Sequence, residues 1–199
     1  MTGPVFSGGS LHALHDVELA RLAAAGGRGA FGELVRRHGS TVRFLLRRMG
    51  ADPALADDLA QDAFLSAFEN IAEFRGEGTF VAWVKRIAAR LFLKRWRRRD
   101  RLDPVSEVDE SLHGASEGEG EANRRLDLDE AMKTLSKAER LCVSLCYGAG
   151  LSHAEAAEAL NAPLGTVKSH VKRGLDKLKA RLGAEGEPSG VGAGRQVHG

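Results

Sequence analysis

The sequence predicts an all-α protein made of two small helical domains joined by a charged connection, and three observations carry that expectation. Apolar residues return at three- and four-residue spacing, and no alternating β-branched run interrupts them. Aromatic residues are scarce at 6% while Ala, Leu and Arg are abundant, a composition that favours helix. Charge is segregated along a chain whose net charge is only +2: residues 85–101 hold nine Lys or Arg against one Asp, and residues 102–123 hold seven acids and no Lys or Arg.

At 199 residues, 43% of them apolar, the chain can build one ordinary core or two small ones. With so small a net charge, any binding of nucleic acid has to come from local segregation. No apolar run reaches the roughly eighteen residues a membrane span needs, and no hydrophobic stretch follows a basic start. A cytoplasmic protein with no membrane insertion is expected.

Taken in order, residues 1–15 read as a loose, disordered leader. Asp16-Val17-Glu18-Leu19 opens a short helix, and a second runs from about Gly29 to Met49, with Phe31, Leu34, Val35, Val42, Leu45, Leu46 and Met49 on its apolar face. Asp52-Pro53 is an N-cap residue followed by proline at the first helical position. The helix it starts is expected to reach Phe74, with Leu55, Leu59, Ala63, Phe64, Ala67, Phe68 and Ile71 inward. Its other side presents Asp57, Asp58, Gln61, Asp62 and Leu65. Taken alone, that acidic patch is more simply a solvated helix face than a binding site.

A loop with Gly76 and Gly78 between Phe74 and Phe80 follows. The next helix begins near Thr79 or Phe80, with Trp83, Ile87 and Leu91 expected on its buried face. Its exposed stripe is Arg86, Arg90, Lys94, Arg97 or Arg98, and Arg101, in successive one-turn steps. Such a row of cations repels itself unless an anion screens it, and phosphate is the usual anion. A first domain over 16–101 results. Residues 102–124, acidic and carrying Pro104, Ser106, Gly114, Gly118 and Gly120, cannot bury enough surface to order themselves and read as a flexible linker. The second domain covers 125–183, and the Gly-rich residues 184–199 read as a disordered tail.

Within the second domain, Ser136 and Glu139 form a capping box at the start of one helix, and Ser152 and Glu155 another. Leu151, Ala156, Ala157 and Leu160 supply the apolar face of the second of these, and Asn161 is its expected left-handed terminator. The turn falls at Asn161 to Gly165, around Pro163. In the last helix Val167, Val171, Leu175 and Leu178 must face the protein, which turns Thr166, Lys168, Ser169, His170, Lys172 and Arg173 outward or to the flanks. A helix-turn-helix whose second helix has one apolar seam and one Lys/Arg/Thr/Ser face suits a DNA major groove.

The GTVKSH segment at residues 165–170 resembles two families, region 4 of bacterial sigma factors and the C-terminal domain of LuxR-type regulators, the latter giving a stand-alone helix-turn-helix regulator as the alternative reading. The run DDLAQDAFLSAFENIAEFRGEGTFVAWVKRIAAR at residues 57–90, with the Arg run behind it, resembles region 2 of a group IV, extracytoplasmic-function sigma factor of the sigma-70 family. LSHAEAAEALNAPLGTVKSHVKRGLDKL at residues 151–178 then resembles its region 4, and the acidic linker fills the gap. Together the resemblance covers about Asp16 to Leu182.

That resemblance implies a dissociable initiation subunit that binds core RNA polymerase and promoter DNA. Asp58, Leu59, Gln61, Asp62 and Leu65 match the family's docking surface for the β′ clamp helices, and contact with the β flap is implied as well. Gly76 to Phe80 and Trp83 to Arg101 match the elements that melt the minus 10 element and hold an unpaired base, so Arg86, Arg90, Lys94, Arg97 and Arg98 are implied DNA contacts. Thr166, Lys168, Ser169, His170, Lys172 and Arg173 match the reader of the minus 35 element. The linker matches a segment that threads toward the RNA exit channel, and an anti-sigma factor is the implied inhibitory partner. Two departures stand out. Arg90 and Lys94 replace an Asn and an acid common in the family, which should raise phosphate affinity, and Ala156 replaces a bulkier aliphatic residue, which should loosen packing against Val167 and Val171.

No catalytic constellation, cofactor site or metal site is expected. The seven histidines are scattered and no HExxH spacing occurs. Cys142 and Cys146 stand one turn apart and are within reach of a shared metal with His153, but apolar neighbours favour a place in the core.

Overall fold

A computed structural model describes residues 11–102 and 128–184 of the chain, the side chains of 99–102 and 184 excepted. The described residues are helical with no strand. The first domain holds α1 (Asp16–Ala24), α2 (Arg28–Met49), α3 (Pro53–Glu69) and α4 (Phe80–Leu102). The second holds α5 (residues 128–133), α6 (Lys137–Val143), α7 (His153–Leu160) and α8 (Leu164–Ala184). The expected linker and tail lie outside the described residues, apart from the helix ends at Leu102 and Ala184.

α2 is the central element of the first domain, packing against α1, α3 and α4. Its apolar residues sit as the spacing requires, with Leu34, Val42 and Leu46 fully buried, and it stops at Gly50, whose φ of 107° suits only glycine. Arg37 on this helix clasps the chain entering α1. Its guanidinium donates to Glu33 (2.8 Å), to Asp16 (3.1 Å) and to the carbonyls of Leu11, His12 and Leu14. Leu11 is buried. Residues 11–15, expected in a loose leader, are therefore part of the packed domain, because one guanidinium fork satisfies carbonyls that no helix claims. Glu33 is buried as well. Arg36, Arg37 and His12 hold its carboxyl well below the usual range, with the Arg36 hydrogen bond the strongest influence.

α3 starts as its sequence dictates: the Asp52 carboxylate accepts from the Leu55 N–H at 2.9 Å, with proline behind it. The helix ends at Glu69, short of the expected Phe74. The Asn70 side-chain amide donates to the Ser66 carbonyl at 2.8 Å, and the chain tightens into a 3₁₀ turn over Ile71–Glu73. Gly76 and Gly78 then take positive φ of 78° and 86°, and the rings of Phe74 and Phe80 close the loop edge-to-face at 5.6 Å. Thr79 caps α4, accepting from the Ala82 N–H.

The buried stripe of α4 is Phe80, Val84, Ala88 and Phe92, with Ala89 and Leu93 beside it. Trp83, Ile87 and Leu91, expected at the centre of that face, flank it and are half-buried. Phe80, Val84, Ala88 and Ala89 have no exposed surface, and periodicity alone does not separate the centre of a stripe from its edge.

In the second domain both capping boxes form, Ser136 with Glu139 and Ser152 with Glu155. Asn161 ends α7 at φ 50°, the left-handed terminator expected. α8 begins one residue before Gly165, because the Pro163 carbonyl already accepts from the Thr166 and Val167 N–H groups. Gly165 thus belongs to the first helical turn rather than to the connecting turn. Gly174 lets α8 approach α6: a Cβ there would lie 2.7 Å from a Val143 methyl and 3.2 Å from one of Leu135.

Ala131, Met132, Leu135, Val143 and Leu178 form a small core of the second domain's own. Leu141, Cys142, Leu145, Ala156, Val167 and Val171 instead join the core of the first domain in one continuous cluster. The two domains pack face to face, a contact that the spacing of residues along the chain did not foretell.

Candidate nucleic-acid interface

Three surfaces match the residues singled out from the sequence. On α3, Asp58, Gln61, Asp62 and Leu65 are all exposed, and Leu65 keeps 54% of its surface in water. Leu59 does not join them. It is 5% exposed and packs in the core beneath the patch, because it lies three residues after Ala56 and four before Ala63 on the inward stripe. Phe68, expected inside, is 36% exposed and stacks edge-to-face on Phe31 at 4.9 Å. Leu65 and Phe68 therefore add an apolar rim to the acidic face, and among the described residues neither Asp58 nor Asp62 is ion-paired.

On α4, Arg86, Arg90, Lys94, Arg97 and Arg98 are all exposed along one side. Trp83 and Phe74, with rings 5.6 Å apart, fix the orientation of the helix start against the glycine loop. Part of the stripe meets the second domain. Arg86 donates to the Gly150 carbonyl at 2.7 Å, and Arg97 donates to the Ala159 carbonyl. Arg90, Lys94, Arg97 and Arg98, with Leu93 and Ala159, line a cleft of about 370 Å³.

On α8, Thr166, Lys168, Ser169, Lys172 and Arg173 are exposed, and His170 is half-buried. Ser169 donates its hydroxyl to the Gly165 carbonyl at 2.8 Å, which holds it close to the helix. Arg173 lies 3.1 Å from His170 Nδ1 and 3.8 Å from Glu139. Glu139 is the residue that sequence reasoning undervalued. Read as a cap, it is also a buried carboxylate that accepts from Lys177 at 2.7 Å, and Lys177 first and Ser136 second hold its carboxyl below the usual range. It anchors the cationic face of α8 to α6. The spacing of Arg173 and Lys177, one turn apart on a helix that must pack on α6, was the available signal.

Cys142 is buried and Cys146 half-buried, both as free thiols, and burial pushes the Cys142 thiol up to about 11. A thiol so raised is a poor ligand and a poor nucleophile at neutral pH. Among the described residues no cluster of His, Cys, Asp and Glu is arranged to hold a metal. Ala156 is fully buried, and Val167 and Val171 are nearly so.

The sequence matches two described family regions in the order the surfaces occupy: Sigma-70 region 2 over residues 34–102, and Sigma-70, region 4 over residues 131–180. The presence of the first sets aside the LuxR-type alternative, which shares only the second. The chain is 35% identical to the RNA polymerase sigma factor NccH of Alcaligenes xylosoxydans xylosoxydans, over 84% of this chain and 94% of that protein. It is 31% identical to the ECF RNA polymerase sigma factor SigM of Mycobacterium tuberculosis, over 90% and 91% respectively. The fold is also similar to that of the sigma factor RpoE solved with the anti-sigma factor NepR from Bartonella quintana, with a TM-score of 0.52 and 24% identity over 78% of this chain and 98% of that one. Both regions in order, on relatives matched along nearly their whole length, place this chain in the sigma-70 family, among the ECF RNA polymerase sigma factors.

Proposed function

We propose a division of labour for this sigma factor in which the α3 face docks on core RNA polymerase, the α4 stripe engages the minus 10 element and the α8 face reads the minus 35 element. The observation that carries it is the cationic row of α4, exposed along one side of a helix whose start is pinned by Phe74, Phe80 and Trp83. Melting a duplex needs the displaced strand to be captured, and cations in one-turn steps beside aromatic rings supply backbone attraction and a stacking surface. The chain contributes recognition rather than catalysis, and it works in the cytoplasm, where polymerase and promoter meet.

Asp58, Gln61, Asp62 and Leu65 face the β′ clamp helices in this reading, while Leu59 supports them from beneath. An acidic patch with an apolar rim suits a partner surface that is basic with an apolar centre. An anti-sigma factor that covers these faces is the inhibitory partner we assign, in keeping with the complex of RpoE and NepR. Run-off transcription with core polymerase on genomic fragments tests the whole assignment. Discrete transcripts that require this chain are expected, and their absence from every fragment of a saturating library would refute it.

The α8 contacts carry a finer expectation. Arg173→Ala is expected to weaken binding to the minus 35 duplex and to flatten its salt dependence by about one counterion. Fluorescence anisotropy against salt concentration measures the slope, and an unchanged slope removes Arg173 from the phosphate contacts.

A further inference from the structure

Five helices meet around a cavity of about 360 Å³ where the two domains touch. α2 and α7 reach it with their last residues, Met49 and Leu160, α4 reaches it with Phe92 and Trp96, and α6 and α8 reach it with their first turns. Its volume lies inside the roughly 300–1,000 Å³ span of small-molecule sites. The floor is apolar, for Met49, Phe92, Leu141 and Val167 are all buried. Trp96 adds a large ring that keeps 38% of its surface exposed in a run of arginines.

The charged part of the lining has a single sign. Lys137, Arg140 and His170 belong to it, and no Asp or Glu does. Lys137 is exposed and, among the described residues, has no ion pair, while Arg140 and His170 are half-buried. His170 Nδ1 lies 3.1 Å from the Arg173 guanidinium. A guanidinium can only donate, so the imidazole accepts at Nδ1 and carries its proton on Nε2, where it is a donor. Thr166 supplies a hydroxyl from the first turn of α8. Cations gathered beside apolar surface raise the energy of the site until a counter-charge joins them. An inorganic anion would answer the cations and leave the floor wet, and a neutral arene would do the reverse. An aromatic ring system that carries a carboxylate answers both, and Phe92 and Trp96 offer it faces and edges to stack on.

We propose that this cavity is a binding site for a small aromatic carboxylate, with the rings between Phe92, Trp96 and Val167 and the carboxylate at Lys137, Arg140 and His170. Thr166 and His170 also belong to the α8 face assigned to the minus 35 element, so a bound carboxylate draws on two residues of that face. The site itself does not rest on that assignment.

Calorimetric titration of the full-length chain with 2-naphthoate is expected to saturate at one equivalent. The neutral isostere 2-naphthamide should bind at least about tenfold more weakly. Lys137→Glu puts an acid at the first position of α6, where a helix start favours it, so the fold is retained. It is expected to weaken 2-naphthoate by at least about tenfold and to leave 2-naphthamide unmoved. Trp96→Ala, at a partly exposed position, should weaken both ligands. Circular dichroism melts establish that each variant is folded. The site is refuted if 2-naphthoate does not saturate, if the amide binds as well as the carboxylate, or if both variants keep the parent's affinity for 2-naphthoate.

Discussion

Reversing the charge of two residues on α3, Asp58→Lys with Asp62→Lys, is expected to abolish association with core RNA polymerase while the chain stays folded. Both carboxylates are exposed, and among the described residues neither is ion-paired. The helix itself rests on the Asp52 cap and on Ala56, Leu59, Ala63 and Ala67 inside. Exposed substitutions away from caps and core shift stability within about 0.5 kcal/mol. At a docking face the same change sets like charges together, which costs several kcal/mol, so the affinity should fall by roughly a hundredfold or more. Co-purification with core polymerase and a melting curve measured on the same variant decide the matter. An unchanged yield of complex would remove the acidic face from the interface. Leu65→Ala tests the apolar rim in the same assay and should weaken the complex less, because it removes a contact without adding repulsion.

Gly174→Val is expected to cripple the second domain. At this position a Cβ meets a Val143 methyl at 2.7 Å, a Leu135 methyl at 3.2 Å and the Glu139 Cβ at 3.5 Å. A helical glycine normally gains about 1 kcal/mol on replacement by alanine. Here overpacking against two branched side chains, at about 1–3 kcal/mol before the bulk of valine is added, opposes that gain and exceeds it. A net loss of about 2 kcal/mol in so small a domain lowers its Tm by roughly 10 °C. Gly183→Ala is the control, since nothing stands within 4 Å of a Cβ built there. Circular dichroism melts of the two variants should move in opposite directions or leave Gly183→Ala unmoved. Equal melts for Gly174→Val and the parent would show that α6 and α8 give way more readily than their packing suggests.

The helices themselves were legible because each is announced by local chemistry. Asp52 with Pro53, Ser136 with Glu139, Ser152 with Glu155 and Asn161 all act within a few residues of themselves, and all four perform as their types require. Where legibility failed, the deciding atom lay elsewhere. The end of α3 depends on a side-chain bond from Asn70 that competes with a helical one. The burial of Leu59 and the exposure of Phe68 depend on how α3 rolls against α2, which a period of 3.6 leaves free by about one residue. The packing of residues 11–15 depends on Arg37, more than twenty positions away.

The candidate surfaces divide along the same line. Outward residues of α4 and α8 follow from the inward ones on the same helix, so Arg86, Lys94, Lys168 and Lys172 stand where periodicity put them. The contact between domains joins residues tens of positions apart, Arg48 with Asp129 and Arg86 with Gly150. Nothing local encodes such a pair. The single trace was Trp96, an aromatic ring set in a run of arginines where solvent alone would favour another cation, and it lines the cavity at the seam.

Two of the contacts between the domains run from a guanidinium to a backbone carbonyl, Arg86 to Gly150 and Arg97 to Ala159. An arginine does not titrate in the physiological range and a peptide carbonyl does not titrate at all, so acidification leaves both bonds as they were. An ion–dipole contact also offers added salt only one charge to screen. The Arg48–Asp129 ion pair differs, since added salt screens it and protonation of the carboxylate removes it. A phosphate can outbid a carbonyl for the same donors through a charge-assisted, bidentate bond. With the α4 stripe assigned to DNA as proposed above, promoter phosphates would compete with these two carbonyls for Arg86 and Arg97.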